Sequence, residues 1–165
     1  MKPALEPSAM PSTFEGPVKK KKRKRLLPLI GWREWAAFPE IGVDRIKAKI
    51  DTGAKTSAVH AFRIRVVEKN GGEWAEFRLH PVQKRKTPEI KCAAPIIDRR
   101  RIRSSNGAVE ERLIIRTTLR LGEREWPVDL SLAARDEMGF RLLLGRDALR
   151  RKFMIDPSAS FLLGK

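Results

Sequence analysis

The stretch IKAKIDTGA, residues 46–54, sets the expectation for the fold. Apolar residues at positions 46, 48 and 50 alternate with lysines, which is the period of a strand with one buried face. The strand ends at Asp51, and Thr52 and Gly53 continue into a tight turn that projects the carboxylate. Gly53 lets another backbone approach closely, and the Thr52 hydroxyl can tie the turn down by hydrogen bonding. This stretch alone leaves two readings open: a structural turn residue or a catalytic acid.

A second motif, RLLLGRDALRR at residues 141–151, complements the first. Its three leucines, residues 142–144, predict a short buried strand that Gly145 stops. Residues 147–152 then predict one or two helical turns. An aspartate turn followed later by an apolar-apolar-glycine strand favours the catalytic reading of Asp51.

The rest of the chain has the pattern of short strands separated by turns. Asn70-Gly71 between alternating segments is a strong hairpin signal, and Gly107 and Gly122 mark two further turns. Roughly nine strands and one short helix predict an all-β fold, a closed barrel or a sandwich. The remaining predicted strands cover residues 59–68, 73–79, 98–103, 110–121, 126–132 and 161–163, and a further short strand is predicted within residues 86–95.

Two parts of different composition make up the 165 residues. Residues 1–25 hold few large apolar side chains and end in KKKKRKR, so we predict a disordered basic tail. Residues 26–165 form one predicted domain, because this length supports one core rather than two. The formal net charge of +16 favours an acidic partner. The basic block, residues 19–25, predicts a weak contact with nucleic acid.

Composition and motifs argue against several classes of function. The chain has no run of about 18 apolar residues, so we expect no membrane span. A single cysteine, Cys92, fits a reducing compartment, and we expect a cytoplasmic protein. His60, His80 and Cys92 are too scattered to predict a zinc site. Neither a phosphate-binding glycine loop nor GxSxG occurs, so we predict no metal and no cofactor.

The chain resembles the retropepsin-like aspartic endopeptidases, most closely the bacterial and archaeal branch often labelled an ATP-dependent zinc protease. The resemblance spans residues 30–163 and implies a single-lobe β fold that is active as a homodimer. No residues here account for the zinc or the ATP of that label. The resembling segments are GWREW (31–35), KAKIDTGAKTSAVHA (47–61), EERLIIRTTLRLGEREWPVDLSL (110–132) and MGFRLLLGRDALRRKFMIDPS (138–158).

The resemblance implies a role for each residue of the aspartate turn. Asp51 matches the catalytic aspartate, and Thr52 matches the residue whose hydroxyl braces the paired loops. Gly53 matches the glycine whose carbonyl meets the substrate backbone, and Ala54 is expected to contact substrate as well. Support beneath this turn is assigned to Leu143, Leu144, Gly145 and Arg146.

The resemblance also implies a flap, a hairpin that closes over the substrate. The tip at Ser105, Asn106 and Gly107 lies where the family's flap falls. The turn at residues 70–72 also lies between the two motifs, so the sequence leaves two hairpins open for this role.

One position departs from the retroviral pattern. There the fourth residue after the aspartate is often acidic and pairs with the arginine that follows the glycine. Here that position is Lys55, and Asp147 follows Arg146. We therefore expect an inverted support pair between Lys55 and Asp147.

The function predicted from this resemblance is hydrolysis of peptide bonds by two Asp51 carboxylates that meet across a homodimer. The segment at 161–163 is expected to interdigitate with its copy. Family members are commonly associated with ATP-grasp glutamate ligases, which suggests a glutamate-rich peptide or protein substrate that suits a basic surface. The alternative is a non-catalytic basic β-domain that binds RNA or another polyanion. Few aromatic residues, 7% with no tyrosine, argue against that alternative.

Overall fold

The computed structural model of the chain describes Ala4 and residues 26–103, 106–134 and 139–164. Apart from Ala4, the tail predicted at residues 1–25 lies outside the described residues, and so does Ser105 of the predicted flap. Among the described helices, none has the length and apolar character needed to cross a membrane.

Within the described residues, the chain forms ten strands, one short α-helix and one 3-10 turn. The 3-10 turn is Pro39–Ile41, and the helix, α1, is Arg146–Leu149. The all-β prediction with one short helix is confirmed at this level. The strands are β1 Leu29–Phe38, β2 Val43–Ile50, β3 Ser57–His60, β4 Phe62–Lys69, β5 Gly72–Leu79, β6 Ile90–Arg103, β7 Val109–Leu121, β8 Arg124–Ala133, β9 Leu142–Leu144 and β10 Met154–Ser160.

The described strands form one sheet in the order β10-β1-β2-β9-β3-β8-β7-β6-β5-β4. An additional pairing of β1 with β7 closes six of them, from β1 to β7, into a ring. Strand β6 leaves this ring: its second part, from Ile96, pairs with β7, and its first part pairs with β5. We call β4, β5 and the first part of β6 the arm.

The ring encloses most of the buried apolar side chains. On β2, Ile46 and Ala48 are fully buried and the lysines between and after them point outward, as the alternation predicts. Short β9 lies between β2 and β3, parallel to β2 and antiparallel to β3. Its residues Leu142 and Leu144 are fully buried. This placement brings the second sequence motif directly beside the end of β2.

Several predicted boundaries are wrong, and proline and backbone bends explain them. The strand predicted at 59–68 is two strands, because the chain bends between His60 and Phe62 to pass from the ring to the arm. The strands predicted at 86–95 and 98–103 are one strand, β6, in which Pro95 lies where the pairing changes from β5 to β7. The helix predicted at 147–152 is shorter and begins at Arg146.

The C-terminal prediction is also wrong. The last strand is β10, Met154–Ser160, and not residues 161–163, which form a turn. A fully buried carboxylate, Glu34 on β1, holds this turn in place. It accepts hydrogen bonds from the backbone N–H groups of Leu162 at 2.9 Å and Leu163 at 2.8 Å, and from that of Gly31 at 3.4 Å. The predicted interdigitation of this segment with a second copy stays a prediction.

Candidate active site

The turn after β2 presents the Asp51 carboxylate at the rim of the ring. Strand β2 pairs with β9 up to Ile50 opposite Leu144. The Asp51 N–H then donates to the Leu144 carbonyl at 2.8 Å, which ends the strand pairing. In the turn, the Gly53 N–H donates to the Asp51 carboxylate at 3.1 Å. The carboxylate is therefore oriented by the backbone of its own turn while one side of it stays accessible.

Gly145 lies directly beneath this turn and leaves no room for a side chain. A Cβ atom there would lie 2.8 Å from the Lys55 carbonyl oxygen and 2.9 Å from that of Ala54. The Gly145 N–H donates to the hydroxyl of Ser57 at 3.0 Å, in a buried contact. The glycine of the second motif thus packs backbone against backbone with the aspartate turn, as its position in the motif suggests.

The start of α1 holds the same turn by its carbonyl groups. The N–H of Arg146 donates to the Ala54 carbonyl at 2.8 Å, and the N–H of Asp147 donates to the Lys55 carbonyl at 3.0 Å. The Arg146 guanidinium reaches further and donates to the Thr52 carbonyl at 2.9 Å. The carbonyl groups of Thr52, Ala54 and Lys55 are therefore all hydrogen-bonded by the second motif.

The expected support pair between Lys55 and Asp147 takes a different form. Both residues are described, and within the described chain no ion pair joins their side chains. They meet through the backbone hydrogen bond from Asp147 to the Lys55 carbonyl. Both side chains are exposed, so they face solvent beside the turn.

A basic cleft adjoins the turn. Its volume is about 420 Å³, and its charged lining consists of Lys55, Arg146, Arg150 and Asp147. Three cations against one carboxylate leave the cleft positive. An acidic group of a ligand would be attracted to it.

The two candidate flap hairpins differ in their distance along the sheet from Asp51. In the β6–β7 hairpin, the Arg100 guanidinium donates to the Thr56 hydroxyl at 3.1 Å, immediately after the aspartate turn. Its tip includes Asn106 and Gly107, and the Asn106 side chain accepts a hydrogen bond from the Ala108 N–H at 3.2 Å. The other hairpin, through Asn70, joins β4 and β5 at the outer edge of the sheet. The contact at Thr56 favours the β6–β7 hairpin.

The structure brings together most of the predicted site residues, but they differ in exposure and in the contacts they make. Thr52 and Gly53 are exposed on the turn, and Ala54 offers its carbonyl to Arg146 rather than outward. Leu144 lies under the turn, whereas Leu143 pairs in register with Lys49 and Ala58. Predicted contacts of Ala54 with substrate stay a prediction.

Two positioning residues were missed from the sequence. Ser57 is buried and its hydroxyl receives the Gly145 N–H, while Arg100 crosses from β6 to Thr56. A serine six residues after an aspartate and an arginine within a basic strand carry no distinctive signal. Their partners lie far away along the chain, and the antiparallel pairing of β3 with β9 brings Gly145 to Ser57.

Cys92 and the histidines lie outside this site. Cys92 is buried among apolar residues, its thiol contacts the Ile41 carbonyl at 3.4 Å, and burial raises its pKa to about 12. A thiol with that pKa stays protonated at neutral pH and is a poor nucleophile. Among the residues that the structure describes, no group of three His, Cys, Asp or Glu side chains is arranged to hold a metal ion.

The chain is similar in sequence to part of several longer proteins. A "Probable alpha-L-glutamate ligase" from Shewanella halifaxensis is 47% identical over 137 residues, which are 83% of this chain and 30% of that protein. A protein of the same name from Desulfotalea psychrophila is 44% identical with the same coverage. The chain thus spans about 30% of the length of these relatives.

A solved structure and a family match complete the comparison. The crystal structure of a Legionella pneumophila protein of unknown function superposes with a TM-score of 0.71 at 26% identity, covering 82% of this chain and 98% of that protein. Residues 29–165 match the RimB-like family, described as "Retropepsin-like aspartic endopeptidase RimB". Because this match covers well over half of the chain, the chain belongs to the RimB-like family of retropepsin-like aspartic endopeptidases.

Proposed function

We propose that this chain is an aspartic endopeptidase whose catalytic pair consists of two Asp51 carboxylates, one from each protomer of a homodimer. The observation that carries the proposal is the bracing of the aspartate turn. Its carbonyls at Thr52, Ala54 and Lys55 are all bound by the second motif, and the Asp51 carboxylate is left at the rim. Such bracing suits a group that must meet a partner in a defined geometry.

The proposal includes a homodimer because one chain supplies only one aspartate of the DTG type. The sequence DTG occurs once in the chain, so each protomer supplies one such aspartate. A two-fold axis beside the turn would place two Asp51 side chains in contact. Two adjacent carboxylates do not both ionise easily, so they share one proton.

The shared proton provides the chemistry. The ionised Asp51 takes a proton from a water molecule as that water attacks the amide carbon of the substrate. The protonated Asp51 donates its proton to the carbonyl oxygen, which gives a tetrahedral intermediate. The Asp51 that took the water proton then gives it to the amide nitrogen while the other Asp51 takes a proton from one hydroxyl of the intermediate. The carbon–nitrogen bond breaks, and a carboxylic acid and an amine leave. The β6–β7 hairpin is the candidate flap that would exclude bulk water from this reaction.

We infer that the substrate is acidic and glutamate-rich. The cleft beside the turn carries Lys55, Arg146 and Arg150, which suits carboxylate side chains. The relatives whose matching region is one part of a longer protein are named for glutamate ligation. A peptidase that acts on glutamate-rich chains would account for both observations. Rising salt would then slow cleavage, because it screens the attraction between the cleft and the acidic substrate.

The test compares the wild-type chain with Asp51→Asn and Asp44→Asn. Asp44 is an exposed carboxylate on the same strand, so it controls for the loss of one negative charge. Cleavage of a peptide library and of polyglutamate-tagged protein is measured alongside sedimentation. We expect Asp51→Asn to lower cleavage at least about a thousandfold with the dimer retained, and Asp44→Asn to leave cleavage nearly unchanged.

Two results would contradict the proposal. A chain that sediments as a monomer with and without peptide, and shows no cleavage, would make Asp51 a structural turn residue. RNA binding by such a chain would then support the alternative of a non-catalytic basic domain. Cleavage that survives in Asp51→Asn would assign the chemistry to another group.

A further inference from the structure

The arm carries a basic face that the proposed peptidase does not use. Strands β4, β5 and β6 form a shallow cavity of about 370 Å³ on their outer side. Its lining holds four cations and a single carboxylate, and none of these residues belongs to the aspartate turn or to α1. The charged lining residues are Arg63, Arg65, Arg78, Lys91 and Glu76.

Two of the four cations form no ion pair among the described residues. Arg65 pairs with Glu76 at 3.0 Å, and Arg78 pairs with Glu89. For Arg63 and Lys91, both described, no ion pair occurs within the described chain. This differs from the arginines of the ring and of the β6–β7 hairpin, several of which are neutralised by neighbouring carboxylates. The cavity therefore keeps an uncompensated positive charge.

The backbone aims one of these cations. Strand β4 has one extra residue relative to β5 between Phe62 and Arg65, which is a β-bulge. Within it Arg63 has a φ of +50°, the left-handed region that an arginine rarely adopts. A bulge re-aims the side chain it carries, and here Arg63 lines the cavity. The charge of Arg63 also helps to lower the pKa of Glu89, after the larger effect of the Arg78 hydrogen bond.

An open strand edge lies beside this face. Strand β4 ends the described sheet, so its outer edge pairs with no described strand. Its Val66 is 41% exposed. An eight-residue edge of this kind offers backbone hydrogen bonds to an extended peptide. A nucleic acid has no backbone that can continue a β-sheet.

We propose that the β4 edge and its basic face bind an acidic protein segment in extended form, which adds to the sheet as a further strand. Backbone pairing with β4 would supply the register. Alternate side chains of the added strand would lie over Arg63 and Arg65, with Arg78 and Lys91 further inward across the face. Trp74, an aromatic ring of β5, is already covered by the Lys69 ammonium at 4.9 Å, which disfavours base stacking there.

The site is separate from the aspartate turn, and its test measures binding rather than cleavage. The result of this test therefore does not depend on whether the chain has peptidase activity. All variants are made in the full-length chain carrying Asp51→Asn, so that a probe is not consumed during the measurement.

Two labelled peptides of about twelve residues, equal in composition, provide the probes. One alternates Glu and Thr, so an added strand presents every Glu on one face. The other repeats Glu-Glu-Thr-Thr, which divides the same charge between both faces. We expect fluorescence anisotropy to show the alternating peptide bound about fivefold more tightly, because the total charge is matched and only the facing differs.

The variants are matched as well. Arg63→Asn removes the cation and keeps a residue that tolerates left-handed backbone. Arg151 is also exposed, also has a positive φ of 63°, and lines no part of this cavity, so Arg151→Asn is the control. We expect Arg63→Asn to weaken the alternating peptide about fivefold and Lys91→Gln about twofold, with Arg151→Asn unchanged.

Several outcomes would overturn the proposal. Equal binding of the two peptides would mean that charge acts without strand addition. Equal losses in Arg63→Asn and Arg151→Asn would mean that no local site exists. Tighter binding of a single-stranded oligonucleotide of the same charge, lost in Arg63→Asn, would assign the face to nucleic acid. A dimer held through β4 that excludes the alternating peptide would assign the edge to a second copy. Thermal melting of each variant, expected to match the parent chain, separates these results from unfolding.

Discussion

The glycines of the ring and those of the arm differ in the space that surrounds them. In the ring, a Cβ atom at Gly31 would lie 2.3 Å from the Ala159 carbonyl oxygen, and one at Gly145 would lie 2.8 Å from that of Lys55. In the arm, Gly71 and Gly72 have open space where a Cβ would be. The ring therefore needs glycine for the close approach of two backbones, and the arm does not.

This difference corresponds to two structural roles: the ring holds one side chain in a fixed place, and the arm exposes side chains on its surface. The ring brings Asp51 to its place through short contacts that allow no added atom. The arm presents charged side chains on an open face and accepts an arginine in a left-handed bulge. Substitutions should accordingly be costly in the ring and tolerated in the arm, and four comparisons test this in order of expected effect.

The largest effect is expected at the buried carboxylate of the ring. Glu34→Ala removes the acceptor of three backbone N–H groups, so we expect the free energy of unfolding to fall by about 3 kcal/mol. Glu34→Gln keeps one acceptor oxygen and should cost less. Glu68→Ala, an exposed carboxylate on β4, should change stability by less than about 0.5 kcal/mol. Denaturant unfolding measures the free energy of unfolding of all three variants. Equal losses of stability in Glu34→Ala and Glu68→Ala would contradict the inferred difference between ring and arm.

The next effect compares two glycine-to-alanine changes. Gly145→Ala forces a Cβ against backbone and should lower the free energy of unfolding by about 2 kcal/mol, with a loss of cleavage. Gly72→Ala meets nothing within 4 Å and should leave stability within about 0.5 kcal/mol. A Gly145→Ala chain as stable as Gly72→Ala would show that the aspartate turn can move away from β9.

A smaller effect is expected at Ser57. Ser57→Ala leaves the buried Gly145 N–H without its acceptor and should cost about 1 kcal/mol. The specific readout is hydrogen exchange of the Gly145 amide, which should become faster while amides of β5 keep their rates. An unchanged Gly145 rate would mean that another group accepts this hydrogen bond.

The smallest effect is expected at the bulge of the arm. Arg63→Gly relieves the left-handed backbone of a residue with a side chain but adds freedom to the unfolded chain, so stability should rise by about 0.5 kcal/mol or less. Thermal unfolding measures the shift. A loss of more than about 1 kcal/mol would show that the Arg63 side chain holds the bulge, and the arm would then be less tolerant than we infer.

Local sequence patterns predicted the elements better than their limits. The alternation at residues 46–50 correctly predicts β2, and Asn70-Gly71 correctly predicts the β4–β5 hairpin. The division of residues 59–68 into two strands was missed, because the bend follows from the passage between ring and arm. The continuity of β6 through two predicted strands was missed, because it depends on a change of partner strand from β5 to β7 after Pro95.

The candidate site shows the same division. Asp51, Thr52 and Gly53 are recognisable because a carboxylate in a tight turn after an apolar strand is a local pattern. The partners of that turn are not local: Ser57 meets Gly145 at a separation of 88 residues, and Arg146 meets Thr52 at a separation of 94. The expected side-chain pair of Lys55 and Asp147 stays a prediction. Within the described residues a backbone hydrogen bond joins the two, and the sequence does not reveal which groups face each other.

The sequence by itself determined the strand periods, the aspartate turn and the glycine that stops β9, since each depends on side-chain volume and backbone freedom over a few residues. Tertiary structure alone decided that β9 lies parallel to β2, that Glu34 holds the C-terminal turn, and that two cations of the arm form no ion pair with the described residues. Those features depend on which distant strands become neighbours. For such features, burial of the whole hydrophobic core offsets the loss of chain entropy on folding, and no single local sequence pattern does so.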